Sequence, residues 1–228
     1  MAMTIVDTLL AGQHSSITLA AVALGSAIWS LAMLVCSGLM MAIPPTVSQL
    51  NGAGKRAEIG PIWRQALWLA VIVGLLLFVF MRWSPQLLVL MQIEESVRMP
   101  AAEFLHAVSW GAPGLALFFA SRYLSEGLSW TQPTLVFGVA ALILLVPVGY
   151  AMLFGYGPIP EMGAAGLGYA TALIMWLEFL AFAVYLHKSK HFSDLGLLSR
   201  FEWPKLFAIK QLLVLGVPMG IAIFMEGS

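Results

Sequence analysis

Five apolar runs decide what this chain can become, because a helix needs about 20 such residues to cross a hydrocarbon layer of roughly 30 Å. They extend from Leu19 to Ile43, Ile62 to Trp83, Ala101 to Leu124, Pro133 to Phe154 and Gly163 to Leu186. The 228 residues are 61% hydrophobic and 10% charged, with a mean hydropathy of +0.92. A soluble domain of this length cannot hide that much apolar surface, so lipid has to serve as part of the solvent. The runs are too long for membrane strands and lack period-two alternation, which leaves helices. The sequence therefore predicts an all-α integral membrane protein with membrane lipids as its surroundings. A net charge of zero argues against a nucleic-acid partner. Cys36 is the single cysteine, so no internal disulfide can form. The first residues lack the basic stretch and small-residue cleavage site of a signal peptide.

Two more runs lie at the ends. Met1 to Gly12 reads as the second half of a first helix, and Leu206 to Ser228 as the start of a seventh. Gly12, Gly52, Gly127 and Gly155 to Gly157 punctuate the joints, and Pro61, Pro100 and Pro133 sit at expected first turns. Pro44 with Pro45, Pro113, Pro147 and Pro218 fall inside helices, where each removes a backbone hydrogen bond and favours a kink.

Basic residues alternate by loop. Lys55, Arg56, Arg64, Arg122, Lys188, Lys190, Arg200, Lys205 and Lys210 collect on one side, and only Arg82 and Arg98 on the other. The positive-inside rule makes the first side cytoplasmic. The expected organisation is a six-helix bundle over 1–187 with its first helix incomplete, a cytoplasmic linker over 188–204, and a truncated seventh helix over 205–228.

Carboxylates at membrane depth cost roughly 2.5 to 3.5 kcal/mol on insertion scales, so each needs a partner, a cavity or a proton. Asp7, Glu126, Glu178 and Glu226 qualify. Glu126 follows Arg122 by one helical turn, a spacing that allows an ion pair. Glu178 has no basic residue near it in sequence. Asp7 ("VDTLLAG") and Glu226 ("PMGIAIFMEGS") have small or hydroxyl neighbours that permit close packing or an aqueous cavity. Such surroundings suit reversible binding of H⁺ or Na⁺, the alternative being a protonated acid bonded to a neighbouring helix.

Several stretches, in order, resemble the multidrug and toxic compound extrusion (MATE) family in its NorM-like bacterial branch: "VDTLLAG", "PPTVSQLNGAGKRAEI", "RYLSEGLSWTQPTLVFG", "EMGAAGLGYATALIMW" and "LGVPMGIAIFMEGS". The resemblance implies two six-helix bundles around a central cavity, twelve helices in all. This chain would supply the N-terminal bundle and part of helix seven, and would need a C-terminal lobe as its partner. It implies a multi-pass protein of the bacterial cytoplasmic (inner) membrane that exports cationic or amphipathic drugs in exchange for Na⁺ or H⁺. Asp7 falls on the family's first-helix aspartate, associated with ion coupling. Glu226 falls on the seventh-helix glutamate used for cation binding, where Na⁺ would be held. Gln49, Gly52 and Ala53 fall on one cytoplasmic joint, and Arg122, Glu126, Thr131 and Pro133 on another. Leu145 and Gly149 depart from the pattern, standing where polar residues are expected.

Trp29, Met33, Met40, Phe118 and Phe119 suggest an adaptable apolar surface for drugs, although such residues at helical spacing more often face lipid or core. Competing readings are an inactive fragment or membrane scaffold, and a related lipid-linked substrate flippase. The flippase reading sits poorly with acids rather than Arg or Lys at helix centres. No nucleophile with its base, no metal-ligand cluster and no phosphate loop is visible, so neither an enzyme nor a cofactor is expected. His14, His106, His187 and His191 fall at predicted loops or helix ends.

Overall fold

The structure, a computed structural model, describes residues 2–157, 160–197 and 201–227, apart from the side chains at positions 2, 223, 224, 226 and 227. Arg200 therefore lies outside the described residues. Within them the chain forms α1 (Ala2–His14), α2 (Ser16–Met40), α3 (Ile43–Gly52), α4 (Ile59–Trp83), α5 (Pro85–Leu90), α6 (Glu95–Ser109), α7 (Ala112–Gly127), α8 (Gln132–Phe154), α9 (Gly163–Lys188) and α10 (Leu206–Gly227). Short 3-10 turns cover Arg56–Glu58 and Lys190–Leu195, and no strand is present among the described residues.

Four stretches are long and apolar enough to cross a membrane: Ser16–Gly52, Arg56–Leu90, Gln132–Phe154 and Gly163–Lys188. The bent pair α6 and α7 supplies a fifth. These are the five runs expected, with wider limits. Helix α8 shows why lipid is the solvent: its most apolar window has a mean hydropathy of 2.4 yet is only 17% buried within the chain. Leu135, Ile143 and Val136 stand exposed on it. In water such a face would be unstable; in hydrocarbon it costs nothing.

The prolines act differently from the sequence expectation at three places. Pro44 and Pro45 open α3 after a break at Met41 and Ala42, because their missing N–H groups cannot bond the carbonyls four residues back. Pro113 likewise stands in the first turn of α7, where the chain bends by 47° relative to α6. Gly111 sits at that bend; a β-carbon there would lie 2.9 Å from Ala172 Cα and from Met175 Sδ, so the close approach of α9 requires glycine. Pro100 is interior to α6, since the polar turn that begins at Glu95 extends the helix ahead of the apolar run. Acidic Glu95 in that first turn complements the helix dipole. Pro147 and Pro218 are interior, as expected.

Glycines at the joints divide into two kinds. The turn after α3 is made by Gly54, at φ +73°, not by Gly52: Lys55 N–H bonds Leu50 O at 2.9 Å and Gly54 N–H bonds Asn51 O at 3.1 Å, a Schellman closure. After α7 the left-handed residue is Ser129, at φ 59°, while Gly127 serves packing, its missing β-carbon leaving room for Val47 and the Pro44 carbonyl.

The chain divides into two compact units. One comprises Met1–Ala32, Leu75–Gly114 and Gly138–Leu177. Its packing includes Ala141, Leu145, Ala170 and Ile174, with Met3, Val6, Val148 and Met152 against them. The other comprises Met33–Gly74, Leu115–Phe137 and Glu178–Ser228. There the rings of Phe118, Phe137 and Tyr185 gather around Phe182, which is fully buried. Met40, Phe118 and Phe119 are core residues of this unit and Trp29 is buried in the first, so the bland reading of these side chains holds; Met33 is half-buried.

In the second unit α10 crosses α2 at glycines. A β-carbon on Gly38 would collide with Gly220 Cα, and one on Gly216 with the Leu39 carbonyl. Both obstacles are backbone and cannot rotate away. Gly38→Val is expected to destabilise the protein by about 1–3 kcal/mol through overpacking, read as a lowered melting temperature in detergent. Gly52→Ala, in open space, is the control and should change little.

Candidate functional site: a buried carboxylate and its surroundings

Asp7 stands midway along α1 and is 3% exposed. From α9, the hydroxyl of Thr171, 2% exposed, donates to Asp7 Oδ2 at 3.0 Å. Asp7 Oδ1 is buried and has no hydrogen-bond partner among the described residues. The neighbouring hydroxyl of Thr8 is used elsewhere, donating to Thr4 O at 2.8 Å. Helices α1, α8 and α9 otherwise meet through apolar side chains. Leu145, fully buried, belongs to that wall, and Gly149 faces Leu10, so the two positions where polar residues were expected extend the apolar surroundings. A carboxylate oxygen held dry without a donor is costly, which makes Oδ1 an acceptor for a proton or a cation. Thr171 was not singled out from sequence. It lies 164 positions from Asp7, and Tyr169 and Tyr185 offer hydroxyls in the same run.

Glu178, on α9, is 9% exposed. Arg122 of α7 belongs to the same unit. Arg122 also donates from Nε to Glu126 Oε1 at 2.7 Å, and its guanidinium lies 5.6 Å from the Tyr123 ring centre. Tyr123 Oη and Ser37 Oγ, 2.7 Å apart, share a hydrogen bond. Glu226 lies within α10, but its side chain is outside the described residues. Gln49 and Gly52 close α3, the Ala53 N–H bonds Gln49 O at 2.9 Å, and Pro133 is in the first turn of α8. No group of three or more His, Cys, Asp or Glu that could hold a metal occurs among the described residues.

A second polar assembly ties the start of α4 to the segment after α9. Arg56 Nε and Nη2 donate to the two oxygens of Asp194 at 2.6 and 3.2 Å. Arg64 donates to Gly196 O at 2.7 Å, Leu197 O at 3.1 Å and Glu202 Oε1 at 2.5 Å. Gln65, 2% exposed, donates to Trp203 O at 3.1 Å and accepts from Lys205 N–H at 2.7 Å. Trp68 Nε1 adds a bond to Glu202 O at 2.9 Å. The sequence predicts only a cytoplasmic linker here, because it does not reveal which carbonyls turn toward α4.

The hydrogen bond from Arg56 holds the Asp194 carboxyl below its ordinary value, and that from Arg64 does the same for Glu202. A carboxylate with a lowered folded pKa stabilises the fold above its unfolded pKa and loses that contribution as pH falls through the folded value. The melting temperature is therefore expected to be flat above about pH 5 and to decline below about pH 4. Because both groups are solvent-accessible, the decline should be shallow. Asp194→Asn should flatten part of it.

A cavity of about 490 Å³ in the second unit is lined by Thr46, Gln49, Gln65, Phe207, Lys210 and Leu215, among others. Lys210 is the charged residue among these.

The family model for MatE matches residues 1–151. The probable multidrug resistance protein NorM of Xanthomonas campestris pv. campestris is 46% identical over 223 residues, covering 98% of this chain and 49% of the relative. The multidrug resistance protein PmpM of Pseudomonas aeruginosa is 38% identical over 228 residues, covering 100% and 48%. Among solved structures, the transporter NorM-NG, in complex with rhodamine 6G and a monobody, aligns with a TM-score of 0.78 and 30% identity over 99% of this chain and 50% of that one. An inward-facing MATE family transporter aligns with a TM-score of 0.86 at 18% identity, a likeness of fold, over 97% and 50%. The chain spans about half the length of the curated relatives it matches.

Proposed function

Because this chain belongs to the MATE family of transporters, we propose that it forms the N-terminal half of a multidrug exporter that exchanges drugs for Na⁺ or H⁺ by alternating access. The observation that carries the ion-coupling reading is Asp7, a buried carboxylate with one oxygen held by Thr171 and the other without a donor among the described residues. A proton or Na⁺ arriving at Oδ1 neutralises the group and changes what Thr171 bonds to. The two helices that meet there, α1 and α9, then prefer a different packing. An ion can bias two conformations only through such a difference in interaction free energy, with coupling of about 1–3 kcal/mol between ion and drug.

In this reading residues 1–187 are the first bundle, 188–204 the cytoplasmic linker, and α10 the first helix of the second lobe. The Lys- and Arg-rich side faces the cytoplasm of a bacterial inner membrane. Glu226, on α10, acts with the second lobe in cation binding and is the place for Na⁺. Glu178 with Arg122 and Glu126 forms a charge cluster that holds α7 and α9 together. Amphipathic or cationic drugs of the kind represented by rhodamine 6G are the substrates.

The test is export of rhodamine 6G from vesicles carrying either this chain or the complete reading frame that contains it, under separate Na⁺ and H⁺ gradients. Export by the complete frame alone supports the reading, and the effective gradient identifies the ion. Export by neither overturns it in favour of an inactive fragment or scaffold.

A further inference from the structure

His14, the last residue of α1, lies seven residues after Asp7, which places it two turns farther along the same face at a rise of about 10 Å. Its ring bridges three elements. Nε2 lies 2.9 Å from Glu161 Oε1, in the segment leading into α9, and Nδ1 lies 2.9 Å from Thr18 Oγ1 at the start of α2. The ring also packs on Phe154, at the end of α8, with centroids 5.5 Å apart. Ser15 Oγ accepts from Thr18 N–H at 3.0 Å and donates to Thr18 Oγ1 at 2.8 Å, fixing the threonine. Of the groups against His14 from these elements, Glu161 is the one that ionises.

We propose that His14 and Glu161 are positioning residues for the ion-coupled movement. They form a reversible pin between α1 and the entry to α9, the same two helices joined by Asp7 and Thr171. The inference rests on the reading that Asp7 couples the ion.

The geometry accommodates both charge states of the ring. In the neutral state Nε2–H donates to Glu161 while Nδ1 accepts from the Thr18 hydroxyl. With a second proton, Nδ1–H donates to Thr18 Oγ1 and the hydroxyl hydrogen rotates away. No heavy atom moves, and both hydrogen bonds persist. What changes is the charge, so the contact with Glu161 becomes an ion pair, and the pin tightens or loosens with the proton supply. The side chains are 20% and 63% exposed, and such pairs are individually weak. A weak tie contributes little to the fold and suits a contact that opens in every cycle.

The test is rhodamine 6G export by the complete reading frame in proteoliposomes. The rate per folded transporter is measured between about pH 6 and pH 8 on the side where α1 ends. The wild type is expected to change at least ~fivefold across that range, the lower end of typical coupling. His14→Gln should flatten the profile, and Glu161→Gln, exposed and still able to accept a hydrogen bond, should displace it. The exchange His14→Glu with Glu161→His should restore part of it. A flat wild-type profile, or wild-type profiles in both single variants whatever their rates, overturns the pin. Asp7→Asn is measured in parallel against the ion gradient. If that variant keeps wild-type ion dependence, the Asp7 reading fails, and the histidine profiles still judge the pin separately.

Discussion

Asp7→Asn, introduced into the complete reading frame, should abolish the stimulation of rhodamine 6G export by the ion gradient. The loss expected is roughly 5- to 150-fold, the range of a coupling of about 1–3 kcal/mol. Asparagine has nearly the same volume and still accepts from Thr171 through its amide oxygen, so the packing of α1 on α9 should survive. What it lacks is the second carboxylate oxygen, which is buried and has no donor among the described residues. Melting temperature should therefore stay near the wild-type value or rise, because a costly unpaired oxygen is replaced by an uncharged amide. Transport measured against gradient size separates the outcomes: a wild-type response in Asp7→Asn removes Asp7 from coupling. Thr171→Val, which deletes the donor at nearly constant volume, should weaken ion selectivity less than it lowers stability.

Arg64→Ala should give the largest stability loss of any single substitution in the linker assembly. The Arg64 side chain is 10% exposed and serves three acceptors at once, Gly196 O, Leu197 O and Glu202 Oε1. Truncation removes the guanidinium from two carbonyls and a carboxylate at once, and with it three of the hydrogen bonds that tie Gly196, Leu197 and Glu202 to α4. The melting temperature in detergent is expected to fall by roughly 5–10 °C. Arg64→Lys should recover only part of this, because a single ammonium cannot span three acceptors that a planar guanidinium reaches together. Limited proteolysis provides the local check: cleavage in 189–205 should accelerate in Arg64→Ala and not in Arg82→Ala, which lies on a different part of α4. Equal cleavage in both would show that the linker is held by other contacts.

The two sites differ in how visible they were. Asp7 was legible because a carboxylate in an apolar run conflicts with its surroundings wherever the helix packs, and that conflict is a property of the local sequence. Its partner was not legible, because Thr171 is separated from it by 164 positions and resembles any other hydroxyl in a membrane helix. Glu178 shows the converse: its sequence neighbours do not reveal that folding leaves it only 9% exposed. The linker was legible as polar, but its hydrogen bonds to Arg64 and Gln65 join residues 132 to 140 positions apart.

The sequence by itself determined the solvent, the helical class and the number of long apolar runs, since each backbone group in hydrocarbon must be satisfied within its own segment. It also marked the joints. Tertiary structure alone decided which joint residue does what: Gly54 and Ser129 turn the chain, Gly111 and Gly127 admit a neighbouring helix, and Pro44, Pro45 and Pro113 begin helices instead of kinking them. The physical reason is range. Hydropathy acts residue by residue along the chain, whereas close approach, ion pairing and the sharing of a proton depend on atoms that only folding brings within a few ångströms.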